Sequence, residues 1–411
     1  MSASGMLSRS LGRGTRLLFA MAAGLSVANV YYAQPLLDRL AHDFAISRAA
    51  IGLVITATQI GCGMALVFLV PLGDLLDRRR LMAWQLWSLV LALAVVAAAQ
   101  SPGVLLAGML GVGLMGTAMT QGLISYAASA AAPVDRGRVV GTTQSGVFLG
   151  LLLARVFAGG VNDLAGWRAV YIASATLMLV LAFPLWRWLP PEPSNRSRKS
   201  YLWLLGSMLT LLREERTLRV RGILALLMWA VFNIFWSALV LPLSAPPYGF
   251  SHTVIGAFGL VGAVGALAAS RAGHWADRGL GERTSAAALL LLLLAWWPLS
   301  LMPRSLWLLL LGILLLDMGG QALHVTNQSM ILRARPEAHS RLVGLYMLFY
   351  AAGSGLGALG TTAIFAYGGW NGVCILGTMV SLLALVCWVV TRGKIEAGCA
   401  GHPCSAQDPV S

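Results

Sequence analysis

The 411-residue sequence predicts an all-α membrane protein of twelve transmembrane helices in two pseudo-symmetric six-helix bundles. Three observations lead there. The chain is 58% hydrophobic and 11% charged, with 46 glycines. Such a composition cannot hide its apolar surface in water, and it suits closely packed helices in lipid. Its apolar runs reach bilayer length, about 20 residues each. A short charged motif also recurs: Gly73-Asp74-Leu75-Leu76-Asp77-Arg78 is echoed by Gly273-His274-Trp275-Ala276-Asp277-Arg278, so the frame Gly-x-x-x-Asp-Arg returns after 200 residues.

Taken in order, the first six spans fall at about 15–36, 50–72, 81–100, 103–131, 139–162 and 168–189. The second six fall at about 222–244, 252–272, 284–302, 305–332, 342–366 and 370–391. Residues 1–189 thus form an amino-terminal half and 222–391 a carboxyl-terminal half. Residues 190–221 form a cytoplasmic linker and 392–411 a cytoplasmic tail. The linker opens on Pro190-Pro191-Glu192-Pro193, and its Tyr201-Leu202-Trp203-Leu204-Leu205 has the character of a segment lying on the membrane surface. Arg9, Arg13 and Arg16 precede an apolar run too long for a signal core, so they anchor the first helix and no cleaved signal is expected.

Lys and Arg set the orientation. With the amino terminus inside, 24 of the 29 basic residues border cytoplasmic helix ends. Only Arg39, Arg48, Arg168 and Arg304 lie in outer loops, and Arg155 alone falls within a span. Both termini are therefore expected in the cytoplasm. The net charge of +14 is spread over inner-face helix ends rather than gathered into a groove, which excludes a nucleic-acid partner. Cys62, Cys374 and Cys387 read as ordinary apolar thiols. Cys399, His402 and Cys404 match no closed zinc pattern, so no metal is expected.

The halves match elsewhere too. Arg138-Val139-Val140-Gly141 answers Arg341-Leu342-Val343-Gly344, Gly150 answers Gly353, and Gly166-Trp167 answers Gly369-Trp370, all at an offset of 203. Duplicated halves joined by charged turns are how many transporters are built.

These paired loops resemble the signature loop of the major facilitator superfamily, and the likeness covers about residues 15–391. Within that group the chain is similar to bacterial drug and sugar efflux permeases, through Tyr31-Tyr32-Ala33-Gln34-Pro35-Leu36 and His324-Val325-Thr326-Asn327-Gln328 as well. The resemblance implies that Gly73, Asp77 and Arg78, with Gly273, Asp277 and Arg278, act as a cytoplasmic gate latch of the outward-facing state; otherwise these are solvated turns. Asp77 would need a cationic or helix-start partner, for which the region near Arg341 is a candidate. The first copy departs from the family pattern, with Arg79-Arg80 where a glycine is usual.

Gly146-Val147-Phe148-Leu149-Gly150 resembles the glycine-rich fifth helix of proton-driven antiporters. Leu151 stands where those have proline, however, and Gly108-Met109 where the fourth helix has arginine. The same glycines also suit plain helix contact. Arg155, about 24 Å along its span at ~1.5 Å per residue, either lines a cavity or snorkels to headgroups.

Asp317, Gln321, His324 and Gln328 are spaced by four, three and four, so they share one helix face. Asp317 is the only acid inside a span and lies about 18 Å from its outer end. In the resembling fold, helices one, four, seven and ten line the central cavity. That implies Asp317, Gln321 and His324 as proton-coupling or substrate residues, with Asn29, Tyr32, Gln121, Asn233 and Trp236 as further lining. The expectation is a secondary transporter of the bacterial inner membrane, acting as a monomer in the lipid bilayer and exporting a small organic molecule against proton entry. Proton-coupled uptake is the alternative. No cofactor is expected beyond the proton gradient, and no enzyme activity, since His324 has no companion nucleophile, base or metal ligand.

Overall fold

The computed structural model describes residues 12–131, 135–188, 200–275, 278, 280–334 and 339–399. Among them every regular element is helical. Ten segments are long and apolar enough to cross a membrane. In order, the helices are α1 (Arg13–Tyr31), α2 (Leu37–Asp43), α3 (Leu53–Met64), α4 (Arg78–Ala97), α5 (Pro102–Ala130), α6 (Arg136–Ala165) and α7 (Trp167–Trp188). There follow α8 (Tyr201–Glu214), α9 (Arg216–Ala238), α10 (Val240–Leu243), α11 (His252–Trp275), α12 (Gly281–Ser300), α13 (Leu306–Ala334) and α14 (His339–Cys399). The tail cluster of His402 and Cys404, and the polar run Pro190–Lys199, lie outside the described residues.

Local chemistry sets the ends. The Asp77 carboxylate accepts the Arg80 N–H at 3.0 Å and caps α4. Ser101 with Pro102 opens α5, and Ser200 caps α8 by accepting the Trp203 N–H at 3.2 Å. The repeat is visible in the backbone. Gly166 (φ 82°) divides α6 from α7, and its counterpart Gly369 (φ 53°) breaks α14 into two stretches. A side chain is strained at such angles, which is why glycine stands at both places.

Two expectations change. Of the segment expected to link the halves, the described residues 200–221 are largely helical. Its amphipathic stretch is α8, with Leu202 and Trp203 exposed and Leu204, Met208 and Leu211 buried. Helix α9 begins at Arg216 rather than 222, so Arg221 is a fully buried helical residue and not a border charge. The second span also loses regularity: α3 runs into a π turn at Ala65–Leu69 and a 3-10 turn at Val70–Asp74 that contains Pro71.

Helices α1 and α3–α7 pack on one another, as do α9 and α11–α14, and the two groups meet along α6 with α11 and α3 with α14. Glycines allow the closest approaches. A Cβ at Gly146 or Gly150 would come within 2.1 Å of the Ala20 or Gly24 carbonyl oxygen, so this pair seats α6 on α1. Following the charge bias, the end bearing Gly73–Arg80 is called inner and the other outer. At the outer end the groups nearly touch. A Cβ at Gly159 would lie 2.1 Å from the His252 carbonyl oxygen, and one at Gly52 would lie 2.6 Å from that of Ala358. Thr362 Oγ1 accepts the Gly52 N–H at 3.2 Å and Thr56 Oγ1 donates to the Gly355 carbonyl at 3.0 Å. This end is closed.

Candidate functional site

Helix α13 presents Asp317, Gln321 and His324 toward α6 and α9. Asp317 and Gln321 share a narrow recess with Arg155, Phe232, Trp236 and Gly262. Gly262 makes room for the acid: a Cβ there would sit 2.5 Å from Asp317 Oδ2. Arg155 is 3% exposed, its Nε donates to Gln34 Oε1 at 3.0 Å, and Gln34 Nε2 donates to Asn233 Oδ1 at 3.1 Å. Its guanidinium carbon lies 4.2 Å from the Trp236 ring centroid and 5.6 Å from that of Tyr31. Arg155 therefore reaches into the bundle rather than out to headgroups.

Asp317 is also 3% exposed. Asp317 Oδ2, Gln321 Oε1 and Arg155 Nη2 have no hydrogen-bond partner. Burying such atoms unpaired costs about 1–3 kcal/mol each, and more when charged. A cluster of them facing one recess, one cationic donor and two acceptors, is the chemistry of a binding site rather than of a packed core.

Inward of the recess lies a chamber of about 120 Å³ that shares Phe148, Leu151 and Gln321 with it. Tyr31, Gln121, Gln144, Trp229, His324 and Tyr350 supply its polar edges, and Val27, Leu66 and Met347 much of its apolar wall. His324 Nδ1 lies 2.9 Å from Tyr346 Oη, and the ring meets Trp229 edge-on at 5.5 Å. The Tyr31 and Tyr350 hydroxyls are hydrogen-bonded to each other across the two helix groups.

Six residues expected in the cavity region, together with Arg155, are brought around these two spaces: Asp317, Gln321, His324 and Gln121 line them, Trp236 stacks on Arg155, and Asn233 holds Gln34. Two are not. Asn29 accepts from Ser174 Oγ at 2.7 Å on α7, and Tyr32 packs on Phe157 and Tyr171. One residue advances a helix by about 100° at 3.6 residues per turn, so it is Tyr31 and not Tyr32 that faces the chamber. Gln34, Trp229 and Tyr350 also belong to the site; in the sequence only Gln34 carries a mark, as part of the stretch Tyr31-Tyr32-Ala33-Gln34-Pro35-Leu36 that bears the family likeness.

The described residues of the inner turn make these contacts. Asp77 is exposed and serves its own helix, while Arg341 stacks over Trp203 at 5.8 Å. Arg78 Nε donates to the Gly73 carbonyl at 2.8 Å and Nη1 to Ser129 Oγ at 2.9 Å, tying the turn to α5. Arg79 reaches the Trp186 carbonyl. In the second copy Gly273 falls in the last turn of α11, Arg278 is exposed, and Asp277 lies outside the described residues.

A charged helix turn at one end, a closed opposite end and a buried polar recess between two packed helix groups form a transporter's anatomy. The profile of the Major Facilitator Superfamily matches residues 17–295 and 221–399. The chain belongs to this superfamily. It is 41% identical over 372 residues to "Uncharacterized transporter YgaY" of Escherichia coli O157:H7, covering 90% of this chain and 94% of that one. It is 21% identical over 370 residues to the "Probable sugar efflux transporter" of Helicobacter pylori strain ATCC 700392 / 26695, covering 90% and 92%. Among solved structures, an inward-facing, occupied bacterial homolog of the human lysosomal transporter Spinster superposes with a TM-score of 0.72 at 14% identity, covering 97% and 98% of the two chains. As a member of the superfamily the protein is a multi-pass membrane transporter and not an enzyme.

Proposed function

We propose that the protein is a secondary active transporter that exports a small organic molecule against proton entry, by alternating access. The observation that carries this reading is a lone buried carboxylate, Asp317, facing Arg155 across a recess that opens toward the inner chamber. Counting α11 as a span and α14 as two, divided at Gly369, the reading is twelve spans in two six-helix halves, the second beginning with α9 at Arg216. The linker and tail would then be cytoplasmic, in a bacterial inner membrane. The halves rock about the recess. When the outer end opens, the inner loops close, with Asp77 and Asp277 as the latch. Cargo with an apolar or aromatic body suits the chamber walls, and its polar groups would meet Gln321, His324 and Gln121. The driving force is the proton gradient, and the unit is a monomer in the bilayer. Export rather than uptake is supported by the similarity to a relative named as a sugar efflux transporter.

Two measurements test this. Reporter fusions after residue 195 and at the carboxyl terminus are expected to report cytoplasm; an external signal from either overturns the twelve-span topology. A ligand identified by thermal-shift screening of the purified protein is expected to accumulate in inside-out vesicles with an acidic lumen. Accumulation in right-side-out vesicles with an acidic exterior would instead make the protein an uptake symporter.

A further inference from the structure

The closed outer end is fastened by a side-chain cluster outside the recess. His252, the first residue of α11, is 3% exposed and sits between two carboxylates of the other helix group. Its Nε2 lies 2.9 and 3.0 Å from the Asp38 oxygens on α2, and its Nδ1 lies 3.2 Å from Asp163 Oδ1 in the last turn of α6. Asp163 also accepts the backbone N–H of His252 at 3.2 Å and of Thr253 at 2.8 Å, and the Thr253 hydroxyl at 2.6 Å. It thus caps α11 from across the interface, where the positive end of that helix favours a carboxylate.

We propose that His252 is a proton-binding site of the outer gate, occupied when the gate is closed and vacated to the outer solution when it opens. This rests on the alternating-access reading. A neutral imidazole has one N–H and one lone pair, so it can donate to only one of two carboxylates and must turn a lone pair on the other. With a carboxylate oxygen within hydrogen-bond distance of each ring nitrogen, both contacts are bonds only in the imidazolium. Among the described residues no other titratable group offsets this. On α2, Arg39, His42 and Asp43 are exposed to solvent, and Asp43 accepts the Trp167 indole N–H at 2.7 Å. The turn Gln34–Leu36 and α10 carry none, and Tyr248 donates to the Met302 carbonyl at 3.1 Å. Arg155 on α6 lies about two turns deeper, and Asp317 of α13 lies with it in the recess. A metal is not the occupant indicated: the two carboxylates meet opposite nitrogens of the ring, so the three side chains do not face one common centre.

Opening the outer end draws His252 away from Asp38 and Asp163 and into water, where an imidazole titrates near its ordinary value of about 6.5. The sign follows. The closed form, whose two carboxylate contacts need the extra proton, is favoured in acid and loses that advantage as the pH rises. The proton enters from and returns to the same outer solution. It therefore biases the carrier toward the closed outer end in acid without adding to the number of protons carried per cargo molecule.

The test uses the full chain in lipid nanodiscs, with its five cysteines replaced and spin labels at Arg48→Cys and Arg304→Cys, which are exposed outer positions on the two groups. Label distances are measured by pulsed electron resonance from pH 5.5 to 8.5. The open fraction is expected to rise with pH by up to about tenfold per unit, the limit for one proton. In the Asp317→Asn background, which removes the titration in the recess, His252→Gln should be more open and insensitive to pH in this range; His252→Lys, permanently charged, should stay closed throughout. Asp163→Asn should weaken closure. Opening that ignores pH in the Asp317→Asn background, or a pH response that survives there in His252→Gln, overturns the proton site alone. Outer distances that never lengthen in any variant overturn alternating access together with it.

Discussion

Asp317→Asn is expected to keep cargo binding and lose pH-driven accumulation, leaving at most downhill exchange. The acid sits at the inner surface of a closed end, with one oxygen unpaired and Arg155 across the recess. Rocking the halves would change both its hydration and its distance from Arg155, the two variables that govern proton affinity. An amide of the same shape preserves the hydrogen-bonding surface while removing the titration. Uphill transport should fall to background in vesicles with a controlled gradient, while binding by thermal shift persists. Undiminished accumulation would move proton coupling to another group. Loss of both binding and transport would instead make Asp317 a cargo ligand.

Arg221→Met is expected to cause the largest loss of stability, roughly 3 kcal/mol or more, by breaking a buried ion pair on one side. Arg221 is fully buried and forms an ion pair with Glu282; its Nη1 donates to Ser285 Oγ at 2.7 Å and to Asn327 Oδ1 at 3.4 Å. Glu282 accepts the Trp388 indole N–H at 2.8 Å, so one cluster ties α9, α12, α13 and α14 together. Removing the cation leaves the Glu282 side chain, 26% exposed, a mostly buried carboxylate without its ion-pair partner. Removing both charges, as Arg221→Met with Glu282→Gln, removes that penalty. The double variant should therefore recover part of the lost unfolding midpoint, and the cycle of four proteins measures the coupling. A single variant as stable as wild type would show the cluster to be incidental.

The Asp317 prediction is legible in the helix spacing, but the Arg221 prediction could not have come from patterns in the chain alone. The sequence places Arg221 beside other basic residues at a helix start, which is the usual position of an inner-face anchor, and Glu282, 61 residues away, carries no mark of a partner. Their pairing is a nonlocal consequence of how α9 and α12 cross. The same holds for His252. It lies 89 residues from Asp163 and 214 from Asp38, and only the approach of α6 to α11 at the outer end unites them.

What the residues determined by themselves was everything that depends on local chemistry and periodicity. Apolar runs of bilayer length dictate helices, because unpaired backbone polar groups are too costly in lipid. The glycine-tryptophan breaks at 166 and 369 are written in the repeat and reappear at positive φ. The spacing of Asp317, Gln321 and His324 commits them to one face, and they do line adjoining spaces. Tertiary structure decided what depends on helix rotation and crossing: that Tyr31 rather than Tyr32 faces the chamber, that Arg155 turns inward onto Trp236, and that the glycines at 146 and 150 seat α6 on α1. A helix face is legible from spacing, but which neighbour it meets is fixed only when interlocking side chains set the angle and depth of each crossing.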